Sequence, residues 1–244
     1  MGSSLCHPQD GPRGVNNTMH IHFESCVLRI TGRLSIARSY LQTLENSLPN
    51  AKRLAIQELK ATAKAHYWDA EEYFEGIGNI DHEFGAIPDL AGSAFIAYLH
   101  GIVEHGLSIV CNTLNKKKKL PLLINDIAGS PIERAKTYLT KLAGIKVGRD
   151  PGWSALTDLA KLRHVILHAG GEVGEASNIE KEIARIQKRY PGMLSVEDRD
   201  LLGTREVCVS LPLCRQLLSE VEAFFDRLFK ASGLEGVTVI DKGA

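Results

Sequence analysis

GSAFIAYLHGIVEHGLSIVCNTLNKKKKL, Gly92 to Leu120, is the stretch that decides the fold. It predicts one helix, apolar on nearly every side, with a single acidic residue, Glu104, inside it. A helix of that kind is stable only when other helices surround it, so it belongs at the centre of a bundle. The run Lys116 to Lys119 at its end is the one obvious candidate for a local basic patch, and reads in preference as a solvated helix terminus.

Upstream, Gly76, Gly78, Gly85 and Pro88 predict a loop. Before them, Ala51 to Ile77 is the longest periodic stretch, with Ile56, Leu59, Ala63, Ala70 and Ile77 on one face. Tyr67, Trp68, Tyr73 and Phe74 in this region read as core packing rather than a base-stacking platform. An earlier amphipathic helix, Arg33 to Ser47, carries Leu34, Ala37, Leu41, Leu44 and Leu48, and Pro49-Asn50 is expected to break it. Residues 1–20 are rich in Gly, Pro, Ser and Asp and lack the apolar segment of a secretory signal, so a disordered leader is expected.

Downstream, Pro121 to Gly129 reads as a connection. Ser130-x-x-Glu133 with Pro131 forms a capping box for a helix ending near Gly144. A further helix is expected from about Trp153 or Ser154, running SALTDLAKLRHVILHA to a stop at Gly170-Gly171. Asn178 to Tyr190 predicts a helix of mixed charge, and Glu206 to Ser210 a short strand or extended lead-in. Leu211 to Ala231 predicts a final amphipathic helix, and the last residues a weakly ordered tail. The expected class is therefore all-α, an up-and-down helical bundle over residues 91–232. A leader (1–20) and an N-terminal helical extension (21–90) precede it, and a tail (233–244) follows.

Composition narrows the function classes. Lys plus Arg number 29 and Asp plus Glu 29, so the chain as a whole is not a bulk binder of polyanions. Any nucleic-acid contact requires a local basic patch. No run is read here as long and apolar enough to span a bilayer. The five cysteines, Cys6, Cys26, Cys111, Cys208 and Cys214, show no C-x-x-C spacing and read as reduced thiols in a cytoplasmic protein. Phosphate-loop, H-E-x-x-H and G-x-S-x-G motifs are absent from the sequence.

One constellation stands out. LRHVILHAGG, Leu162 to Gly171, holds Arg163, His164 and His168 near a helix end, while Leu162, Val165, Ile166 and Ala169 anchor the segment to a core. His164 and His168 are four apart and share a helix face, whereas Arg163 lies about 100° around the helix from His164. A guanidinium suits a phosphate, and an imidazole suits proton transfer near neutral pH.

This segment resembles the R-x(4–6)-H motif of HEPN domains, with His164 at the polar position after the Arg. Ala94 to Leu114, Ile132 to Ile145 and Val209 to Phe229 are similar to that family's early, lead-in and closing helices, in the same order. The resemblance covers roughly residues 90–232. It implies a HEPN-like bundle acting as a metal-independent endoribonuclease, with no cofactor, in which two motifs meet across a homodimer. His168 would be the acid/base group and Arg163 the phosphate-stabilising group, with His164 and Glu104 in support. It also implies a toxin or anti-phage defence effector acting on RNA, with an antitoxin or regulatory partner and no membrane association. Two other readings stay open. One is a non-catalytic scaffold or partner-binding module. The other is a metal-dependent bundle enzyme using the i, i+4 pairs His100/Glu104 and His164/His168.

Overall fold

Two long antiparallel helices form the spine of the molecule. The computed structural model describes residues 21–22, 24–174, 178–198, 204–234 and 238–239; the expected leader and most of the expected tail lie outside them. Helix α1 spans Ser25–His66 and α2 spans Ala70–Lys118. At 1.5 Å per residue their 42 and 49 residues measure about 63 and 74 Å. Tyr67, in the left-handed region at φ 56°, ends α1, and Asp69 starts α2 through a reciprocal capping box with Glu72.

The register of this hairpin is given by its rungs. Arg29 meets His105, Tyr40 stacks on Phe95, Lys52 pairs with Asp81, and Leu59 lies against Gly76. The expected loop at Gly76–Pro88 is a correction, because α2 runs straight through it, and α1 likewise continues through Pro49. A proline inside a helix removes one backbone hydrogen bond and crowds the preceding turn. Here each helix is held by its partner along a seam, so the cost of one missing rung is met by packing on either side.

The expected boundary at residue 90 is also corrected: it falls inside α2. The first half of α1 (Cys26, Ile30, Leu34, Ala37, Leu41) lies in the same core as Phe95, Leu99 and Phe225. Beyond Leu41 and before Ala91 no residue is fully buried. That part is a two-stranded arm ending in aromatics. Tyr67 is 92% exposed and Phe74 70%, so the expectation that these two rings pack in a core is overturned.

The body is completed by four more helices. Helix α3, Pro131–Thr137, starts at the expected Ser130–Glu133 box and passes into a π-helical turn, Tyr138–Leu142. Helix α4 is Pro151–His168, α5 is Asn178–Arg189 and α6 is Leu211–Ser232. Helices α1, α2, α4 and α6 pack together. Phe224 sits between Trp153 and Phe225 at centroid distances of 5.7 and 5.5 Å.

Extended structure is minor. Ile21–His22 (β1) pairs antiparallel with Thr238–Val239 (β4), and Leu194–Asp198 (β2) with Arg205–Val209 (β3). The strand at 205–209 matches the expected lead-in, whereas its partner β2 has no counterpart among the expected elements. One 18-residue window of α2 is, by length and composition, apolar enough to cross a membrane, which corrects the expectation that no run is. Of that window 56% is buried against the rest of the chain, the position of a central core helix.

Candidate active site

Helix α4 carries the site and is fixed at both ends. Asp150 caps its N-terminus, accepting from Gly152 N at 2.7 Å, with Pro151 at the first helical position. The helix thus begins two residues before the expected Trp153. The Arg227 guanidinium donates to both Asp150 oxygens at 2.7 Å and holds that carboxyl below its ordinary range. At the other end Gly170 and Gly171 adopt φ of +60° and +89°, and Ala169 N and Gly171 N both donate to Val165 O. The chain then stitches to β3: Val207 N donates to Gly171 O at 2.9 Å and Val173 N to Arg205 O at 2.8 Å.

Between these clamps Leu156, Leu159, Leu162 and Val165 face the core, while His164 and His168 are exposed and Arg163 is half-buried. Residues five apart lie about 140° apart on a helix. The length of the arginine closes that gap: Arg163 Nη1 donates to His168 Nε2 at 2.9 Å. A guanidinium has no acceptor, so Nε2 is the accepting nitrogen and the ring proton is assigned to Nδ1. The rings of His164 and His168 are 5.0 Å apart.

Glu104 is half-buried on α2, and its nearest basic group is His100, with Nδ1 at 3.7 Å. Of the two partners expected for Glu104, the neighbouring histidine is the one observed; no Glu104–Arg163 ion pair is present among the described residues. His100 is 7% exposed. Burial lowers its pKa most, Glu104 opposes this, and nearby Arg163 adds to the lowering. His100 thus links Glu104 electrostatically to Arg163, a role that the sequence presents only as half of a metal-ligand pair.

The metal-ligand alternative is not supported by the geometry. His100, Glu104, His164 and His168 do not form a ligand set, and among the described residues no group of three or more His, Cys, Asp or Glu could hold a metal ion. Thiol chemistry is equally remote: Cys26, Cys111, Cys208 and Cys214 are buried, and burial pushes Cys111 and Cys214 up to about 12.

Asp158 is absent from the residues singled out in the sequence. It is fully buried on α4, accepting from Arg185 Nη2 at 2.6 Å and Arg189 Nη1 at 3.1 Å, both on α5. Arg189 continues to Glu220 on α6 at 2.6 Å, and Glu220 also accepts from Tyr190 and Gln216. This network ties the motif helix to α5 and α6. Its only sequence signal is an aspartate among the apolar positions of a helix, facing an Arg-x3-Arg spacing on the next one.

No family model, curated protein or solved structure matches this chain.

Proposed function

We propose that the chain is a metal-independent endoribonuclease of the HEPN type, built on a HEPN-like bundle and working as a homodimer. The observation that carries this reading is the Arg163–His168 pair, 2.9 Å apart at the exposed end of a helix clamped at both termini.

In the resting protein the guanidinium occupies His168 Nε2. An RNA phosphodiester competes for that guanidinium, since two charged N–H···O contacts outweigh one to a neutral ring. Released, Nε2 takes the proton of the ribose 2′-OH, whose oxygen attacks phosphorus. Arg163 stabilises the charge that builds on the phosphoryl oxygens. The 5′-oxygen leaves with a proton supplied by an imidazolium, leaving a 2′,3′-cyclic phosphate and a 5′-hydroxyl. One motif offers one Arg163–His168 pair, with His164 beside it at 5.0 Å. A two-fold axis supplies a second, and doubles the local positive charge on a chain without net charge.

The test is end-group analysis of labelled tRNA and mRNA incubated with the purified protein, with and without EDTA. The expected result is EDTA-resistant cleavage to 5′-hydroxyl ends. Arg163→Ala and His168→Ala each lower the rate, the latter by about a hundred- to ten-thousand-fold. Cleavage that EDTA abolishes, or that both variants retain, overturns the reading. We further propose a cytoplasmic toxin or anti-phage effector restrained by a partner.

A partner-binding scaffold is the second reading, favoured by the arm and its exposed Tyr67 and Phe74. Intact RNA in all three preparations selects it.

A further inference from the structure

Two clefts lie end to end between α4 and α5. One, of ≈ 460 Å³, is lined by Arg149, Trp153, Lys161 and Arg185; the other, of ≈ 390 Å³, by Lys161, His164, Lys181 and Ile183. Lys161 and Glu182 line both, so the two form one groove along α4 that ends at His164. From Trp153 to His164 the helix rises about 16 Å.

The charges in this groove do not cancel. Glu182 is engaged by Arg185 at 3.2 Å, and Arg185 is itself held by buried Asp158. Asp150 is taken up by Arg227. Arg149, Lys161 and Lys181 are exposed and have no ion-pair partner among the described residues. Lys161 lies within electrostatic reach of Glu133, whose carboxylate is held first by Ser130. The floor is apolar: Trp153, Val165 and Ile183 are buried there. A trough with a cationic rim, an apolar floor and a histidine at one end fits a flexible chain of regularly spaced anions with flat hydrophobic appendages.

We propose that this groove holds the single-stranded RNA segment flanking the scissile phosphodiester, with Arg149, Lys161 and Lys181 on its phosphates. The proposal rests on the nuclease reading for its direction, since the strand leaves the groove at His164, beside His168. It locates the local basic patch that a neutral chain requires. The clefts have the volume of small-molecule sites, a scale that suits one strand better than a duplex.

Binding is tested apart from cleavage. Full-length Arg163→Ala/His168→Ala protein is titrated into a fluorescein-labelled single-stranded RNA 12-mer, and anisotropy is read between 50 and 200 mM salt. The groove variant carries Arg149→Glu, Lys161→Glu and Lys181→Glu on that background. A control carries Lys60→Glu, Lys64→Glu and Lys230→Glu, the same charge change elsewhere. The groove variant is expected to bind at least tenfold more weakly, with a salt slope smaller by about two, near 0.7 for each phosphate that is no longer neutralised. The control stays within twofold. Circular dichroism checks folding, and Lys161→Gln/Lys181→Gln gives a neutral pair that shows the same trend in reduced form. Equal weakening in groove and control variants, no weakening in either, or no RNA binding by the parent overturns the groove. If groove-dependent binding holds while the wild type cleaves nothing, the catalytic reading fails and the groove stands. If the wild type cleaves and the groove triple, with Arg163 and His168 intact, cleaves as fast, the groove fails and catalysis stands.

Discussion

Asp158 shows how a single buried carboxylate governs a site it does not enter. Its two oxygens satisfy Arg185 and Arg189, and through them α5 is held against α4. Asp158→Asn removes the charge, leaves Arg185 and Arg189 with only Glu182 and Glu220 as carboxylate partners, and replaces one acceptor with a donor. Because both arginines are partly exposed and water softens the loss, destabilisation of about 2–3 kcal/mol is expected, below the range for fully buried pairs, as a shift in the urea midpoint. His100 and His105 give a pH dependence at the same scale. His100 is lowered chiefly by burial, against Glu104 and aided by Arg163; His105 is lowered by burial, Arg33 and Arg29. A base harder to protonate in the folded state leaves the unfolded chain with more protons below its ordinary pKa of about 6.5. The stability they support is complete above that pH and falls as the solution is acidified. The urea midpoint is expected to drop between pH 7.5 and 5.5, and to drop less in His100→Gln/His105→Gln; an equal drop in both proteins refutes the assignment.

At the scale of elements the glycines of α2 divide into two kinds. A Cβ at Gly92 would stand 2.2 Å from the Val209 carbonyl oxygen, at the point where α2 crosses the end of β3 and Asp89 accepts from Val209 N. Gly78 has nothing within 4 Å. Gly92→Ala is expected to destabilise by about 1–3 kcal/mol through a forced backbone shift, whereas Gly78→Ala stabilises by about 0.5–1 kcal/mol through helix propensity alone. Thermal melts of the two variants should therefore move in opposite directions. This contrast also explains what the sequence withheld. Glycine and proline at 76–88 are breakers by local chemistry, and the sequence alone gives no other reading of them. Only tertiary packing overrides that chemistry: the opposing helix α1 needs Gly76 for Leu59, and a few residues on, β3 needs Gly92 for Val209. Signals that act within a few residues were legible: the Ser130–Glu133 box, the Gly170-Gly171 stop and the Leu211 helix. Strand β2, too short for a clear alternation and defined by its pairing to β3, was not. Within the site, the composition of LRHVILHA draws attention to Arg163 and His168. Their contact depends on side-chain length, and the charges that hold the helix in place come from residues far along the chain.

For the whole molecule, the proposed mechanism makes oligomeric state the decisive quantity. A dimer of about twice the 26.8 kDa chain mass is expected in light scattering after size exclusion, and dilution below its dissociation constant should lower specific activity. A monomer whose specific activity is independent of concentration contradicts the composite site. The arm adds a mechanical property of its own. Pro49 and Pro88 both fall between the Tyr40–Phe95 stack and the Lys52–Asp81 pair, so both helices lack a rung at one height. Beyond that height about 26 Å of α1 leads to Tyr67. A pair of weakened rungs side by side is a flexure, softer about one axis than the helices above and below it. Rocking by about ten degrees there sweeps the aromatic tip through roughly 4–5 Å while the clamped ends of α4 stay where they are.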